Sequence, residues 1–156
     1  MYNTGIEAII AGLLSATTAQ LLKFITFIVI HKKINFRIFA TTGGMPSSHS
    51  AGVVALTTSI GLIEGVTSIS FAIAFGFSLV VIQDAQGLRR AAGKTAATLN
   101  RLVEEWSLQN SESKPYEVLK ELLGHTPFEV LMGMILGISF AFFVHFKLPE
   151  LLPLTF

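Results

Sequence analysis

Residues 127–146 read PFEVLMGMILGISFAFFVHF, and this run decides the fold class. It is close to the roughly 20 mostly apolar residues that a helix needs to cross a bilayer. Its one formally charged side chain, Glu129, lies in the first turn. Thr126 and Glu129 have capping-box spacing and Pro127 suits a first helical position, so a helix should begin there. Gly133 and Gly137 stand four residues apart, the small-xxx-small spacing of closely packed membrane helices.

Three more apolar runs lie upstream, at about 6–30, 50–66 and 68–83, the second and third separated by a tight turn near Glu64 and Gly65. The tail LPELLPLTF (148–156) is too short and proline-interrupted to span, and is expected at the interface. The composition agrees: 51% of residues are hydrophobic and only 13% charged, about half the charged share of an ordinary soluble domain. A net charge of +1 offers no basis for nucleic-acid binding. The absence of cysteine excludes disulfides and thiolate metal sites. The amino terminus, MYNTGIEAII, lacks the basic region of a signal peptide, so the first run should remain as an anchor. The expected fold is an all-α polytopic bundle of about four transmembrane helices, one integral membrane domain over 1–156.

Between the third and fourth runs, about 84–126 reads as an amphipathic insert. Leu88, Ala92, Ala96, Leu99, Val103 and Trp106 recur at helical spacing, with Arg90, Lys94, Arg101 and Glu105 elsewhere on the wheel. A second short helix is expected from Pro115 to Gly124. Lys32, Lys33 and Arg37 lie in the first loop, and Arg89, Arg90, Lys94, Arg101, Lys114 and Lys120 in the insert; the other side has only Lys147. The positive-inside rule puts both basic loops in the cytoplasm and both termini outside a cell membrane crossed several times.

Three segments on that cytoplasmic side could carry chemistry. In TTGGMPSSHS (41–50), Pro46 suits a first helical turn and Ser47 or Ser48 can cap it. A helix start is an anion site, with His49 one turn in; an ordinary capped helix explains the same residues. In GHTPFEVLMG (124–133), capping and packing account for Thr126, Pro127, Glu129 and Gly133, and leave His125 over. Glu129, one turn on, could orient its imidazole. In QDAQGLRRAAGK (83–94), Arg89 and Arg90 read as the start of a helix. They could fork onto phosphate oxygens, or simply anchor the chain at anionic headgroups. Asp84 reads as a turn residue or an arginine partner. Lys23 lies about 12 Å inside the first span's cytoplasmic boundary, which marks it as a functional candidate, with Gln20 one turn away on the same face. His31 and His145 read as interfacial.

PSSH at 46–49 followed by HTPFEVLMG at 125–133 resembles the type 2 phosphatidic-acid phosphatase and vanadium-dependent haloperoxidase superfamily. GGMPSSHSA, DAQGLRRAAGK and GHTPFEVLMG together resemble its divergent membrane branch, over nearly the whole chain. The resemblance implies phosphate contacts at Ser47 and Ser48, a general acid at His49, a nucleophile at His125 and an orienting carboxylate at Glu129. The sequence departs from the pattern in four places. Ser48 replaces glycine, Glu129 replaces aspartate, Ile30 follows Lys23 where an arginine belongs, and Leu119 stands at the arginine position six residues before His125. Arg89, Arg90 and Arg37 are the candidate replacements, with Lys23 as a further phosphate contact.

The implied activity is a metal-independent phosphatase working through a phosphohistidine on a lipid or isoprenoid phosphate, with no cofactor. The sequence offers no dense carboxylate cluster for magnesium. Two other readings remain: an inactive scaffold or phospholipid-binding protein, supported by the missing arginines, and a small transporter using Lys23, His49 and Glu129. Four spans suffice for transport only if the protein forms a homo-oligomer.

Overall fold

The computed structural model describes residues 5–34, 44–110, 119 and 124–151. All regular structure among them is helical: α1 (Gly5–His31), α2 (Ser48–Glu64), α3 (Ile69–Gln83), a π-helical turn (Asp84–Leu88), α4 (Arg89–Asn110) and α5 (Pro127–Leu151). Among the described residues, three stretches are long and apolar enough to cross a membrane: Gly5–Ile30, Pro127–Lys147 and the continuous run Ile69–Ser107. At 39 residues, that last run is about 58 Å long at ~1.5 Å per residue, nearly twice the ~30 Å hydrocarbon core. Part of α4 must therefore lie beyond the apolar layer. α5 continues past the expected end at 146 to Leu151.

The α2–α3 corner falls at the expected residues. Gly65 ends α2 at φ 86° and its N–H donates to the Gly61 carbonyl at 3.1 Å. Open space surrounds a Cβ built on Gly65, so this glycine serves the left-handed backbone and not close packing. Ser68 then caps α3, its hydroxyl accepting from the Phe71 N–H at 3.1 Å.

α2, 17 residues long, sits at the centre and packs against α1, α3 and α5, while α1 also packs against α5. The interior is built of small side chains: Ala11, Ala19, Ala51, Ala55 and Ala141 are fully buried. This is how apolar helices associate in lipid, where hydrophobicity alone gives no preference for a protein neighbour. A Cβ on Gly133 would stand 2.5 Å from the Ser47 carbonyl oxygen, and one on Gly137 2.5 Å from that of Ala51. The two glycines thus let α5 lie directly on the α2 backbone. α3 is stitched to α2 by hydroxyls, Thr57 Oγ1 lying 2.7 Å from Ser78 Oγ, which also donates to the Val53 carbonyl.

Arg89 and Arg90 do not open a new helix. α3 runs into α4 without interruption, because the π-turn absorbs Gly87 within a widened helical turn. Leu99, Leu102, Val103 and Trp106 on α4 are exposed. Asn100 holds the backbone of Leu119 with two bonds of 2.9 Å, its amide N–H donating to the carbonyl and its amide oxygen accepting from the N–H. Of the helix expected over Pro115–Gly124, only Leu119 and Gly124 are described, neither of them helical, and the rest lies outside the described residues, as do Arg37 and Thr41.

Candidate active site

The segments around 47, 85 and 125 are far apart in sequence, and the backbone itself ties them together. The Ser47 N–H donates to the Glu129 carbonyl at 3.0 Å, and the His125 N–H donates to the Ala85 carbonyl at 3.0 Å. The starts of α2 and α5 and the π-turn therefore meet at one end of the bundle. A π-turn leaves some carbonyls without an i+4 donor, and Ala85 uses one to fix the segment that bears His125.

Glu129 organises the start of α5. Its Oε2 accepts from the Thr126 N–H at 3.0 Å while its own N–H donates to the Thr126 hydroxyl at 3.3 Å, completing the capping box. The same Oε2 lies 3.1 Å from Nδ1 of His125. His125 is only 2% exposed. With Nδ1 set on the carboxylate, the ring orientation is fixed and Nε2 becomes the nitrogen pointing away from Glu129.

The His49 ring centroid lies 6.3 Å from that of His125, the planes at 60°. His49 is exposed and borders two spaces: a groove of about 630 Å³ between α1 and α2, and a smaller cavity of about 300 Å³ beside Val80, Val81, Asp84 and Ala85. Lys23 enters from α1, 6% exposed, within the electrostatic reach of the Glu129 carboxylate. Its stem runs beside Gly44, where an added Cβ would meet it at 3.3 Å, and Gly44 has φ 89°. Glycine at that position meets both a conformational and a steric demand.

Ser47 is the N-cap of α2, with φ −69° and ψ 115°. Pro46 therefore precedes the cap instead of occupying the first helical turn. The Ser47 hydroxyl is wholly buried and accepts from the N–H and the hydroxyl of Ser50, at 3.3 and 3.1 Å. Its oxygen thus caps the helix, while Ser48, also buried, lines the α1–α2 groove. The structure brings together His49, His125, Glu129, Lys23 and Ser48. The side chains of Arg89 and Arg90 lie outside the described set.

Three features escaped the sequence reading: the Ala85 carbonyl as anchor, the demand for glycine at Gly44, and a second buried ionisable pair. His145, read as interfacial, has a partner on α1. Its Nδ1 lies 2.7 Å from Oε1 of Glu7, which is 6% exposed. Lys23 and Glu7 are sixteen residues apart on α1, and so are Glu129 and His145 on antiparallel α5. That matched spacing was the available signal.

The fold and site together define a helical membrane protein with a histidine–carboxylate pair set beside a second histidine at one end of its bundle. The chain belongs to the Divergent PAP2 family, which it matches over residues 5–140. It is 37% identical over 139 residues to the uncharacterized membrane protein YuiD of Bacillus subtilis (strain 168), an alignment covering 83% of this chain and 88% of that protein. No solved structure matches it.

Proposed function

We propose that the chain is a membrane-embedded phosphatase that hydrolyses a lipid or amphiphilic phosphate, monoester or pyrophosphate, through a phosphohistidine. The observation that carries this reading is the His125–Glu129 bond of 3.1 Å beside the His49 ring. A carboxylate on Nδ1 makes the imidazole more nucleophilic at Nε2 and stabilises the positive charge that builds on it. Nε2 attacks phosphorus, the bond from phosphorus to the leaving oxygen breaks, and His49 gives that oxygen its proton. His49 then takes a proton from water as the water attacks the phosphohistidine, releasing inorganic phosphate and restoring His125. Lys23 and the N–H groups at the start of α2 face the charge on the transferring group. This chemistry calls for no metal. In the arrangement we favour, α2 and α3 cross the membrane with α1 and α5, the site lies at the cytoplasmic face, and both termini are outside.

The test is release of phosphate by purified protein from a panel of phospholipid and isoprenoid phosphates, with chelator present. Turnover that survives chelation, is inhibited by vanadate and is lost in His125→Ala supports the reading. Turnover abolished by chelation and restored by magnesium overturns it.

One observation favours a catalytically inert lipid-binding protein. Leu119 stands where the resemblance calls for a phosphate-binding arginine, and its backbone is bonded to Asn100. That reading predicts retention of phosphate-bearing lipid without turnover.

A further inference from the structure

The groove between α1 and α2 has a direction. On α1 its lining runs from Ile9 to Leu21, about 18 Å of helix at ~1.5 Å per residue. Its floor is made of Gly12, Ala16 and Gly52, where the two helices nearly touch: a Cβ on Gly12 would stand 3.2 Å from the Gly52 carbonyl oxygen. Leu13 and Leu56 stand along its length. Its polar lining gathers toward the end that bears the histidines, where Gln20, Ser48 and His49 lie. There the Oε1 atom of Gln20 is buried without a hydrogen-bond partner. A groove with an apolar body and a polar head matches an amphiphile lying along the helices.

We infer that this groove seats the hydrocarbon tail of the substrate's leaving group, so that the bond cleaved joins phosphorus to the lipid alcohol. The inference rests on the phosphatase reading, because it takes its direction from His49. The group that protonates the leaving oxygen must stand where the leaving group departs, and His49 heads this groove. The other space at His49 is half as large and carries Asp84, whose carboxylate does not suit a hydrocarbon chain. The tail therefore lies between α1 and α2, and the smaller cavity falls to polar parts of the substrate or to water.

The experiment compares kcat/KM for hexadecyl phosphate with that for butyl phosphate, using full-length protein in detergent micelles. Thr17→Phe, from the exposed rim of the groove, projects a ring across it. This variant should lower the long-to-short ratio at least tenfold, while Ile73→Phe on the outer surface of α3 should leave the ratio as in wild type. An unchanged ratio in Thr17→Phe overturns the inference. Should wild type hydrolyse neither ester, the phosphatase reading fails by itself. The groove is then judged by photocrosslinking a hexadecyl phosphate that carries a diazirine at its tail end. Labelling concentrated on α1 between Ile9 and Leu21 and on Val53 and Leu56, displaced by excess hexadecyl phosphate, keeps the tail site. Labelling spread equally over α3 shows ordinary bilayer contact and removes it. The crosslink uses the unmodified chain, so misfolding of Thr17→Phe does not affect it.

Discussion

The antiparallel pair α1 and α5 carries buried ionisable groups at both ends, and the two ends differ in kind. At one end Lys23 and Glu129 sit among the starts of α2 and α5 and the π-turn, with His49 and His125 beside them and a groove leading away. At the other, about 24 Å along the helices, Glu7 and His145 meet at 2.7 Å as one bond between two helices. The second carboxylate oxygen of Glu7 is buried without a partner. A buried charge inside a span is a functional flag by default, and here both ends raise it. What separates them is convergence: one end gathers several chain segments around a cavity, and the other joins two helices in register. The first arrangement can position a substrate, whereas the second specifies how α1 and α5 align.

Substitutions at the two ends test that difference most sharply. His125→Ala should lower phosphate release by at least about 10³-fold, as removal of a nucleophile does, with the thermal midpoint little changed. Lys23→Met should cost about 10²–10³-fold in kcat, the scale of losing one preorganised contact to transition-state charge. At the far end, Glu7→Gln should leave turnover within about twofold of wild type, since distant sites act independently, and should lower the thermal midpoint. If Glu7→Gln abolished turnover while Lys23→Met did not, the assignment of the two ends would be reversed.

The interface on which both ends depend gives a smaller effect. Gly137→Ala places a methyl group 2.5 Å from the Ala51 carbonyl oxygen and 2.9 Å from the Ala55 nitrogen. The helices must separate, at a cost of about 1–3 kcal/mol, measurable by chemical or thermal unfolding in detergent. The smallest effect belongs to the α2–α3 hydroxyl bridge. Thr57→Val should cost about 0.6 kcal/mol, the average for a hydrogen bond between membrane helices, and should leave turnover intact because α3 reaches the site through the π-turn.

The legible parts of this molecule obey local rules. The capping box at Thr126 and Glu129, the glycine pair of α5, the corner at Gly65 and the pairing of His125 with Glu129 all depend on residues within a few positions of one another. The π-turn was not legible. Gly87 before two arginines looks like a helix ending and another beginning, whereas a widened turn carries the helix through. The Ala85 carbonyl was invisible for a related reason, since a backbone acceptor has no side chain to mark it. Ser47 shows two readings meeting on one residue: the resemblance offers it to a phosphate, and the local capping rule, which needs no ligand, already uses its oxygen. Glu7 and His145 were missed because 138 positions separate them. A histidine near the end of an apolar run looks the same whether it faces headgroups or a buried partner.

The phosphohistidine is the central claim, and it can be observed directly. Purified protein is mixed with a lipid phosphate that it turns over, quenched within milliseconds under alkaline conditions that preserve phosphoramidate bonds, and analysed by peptide mass spectrometry. The account predicts phosphate on His125, present during turnover and absent in His125→Ala. Continued release of phosphate by His125→Ala, or phosphate found on a serine instead, would contradict it.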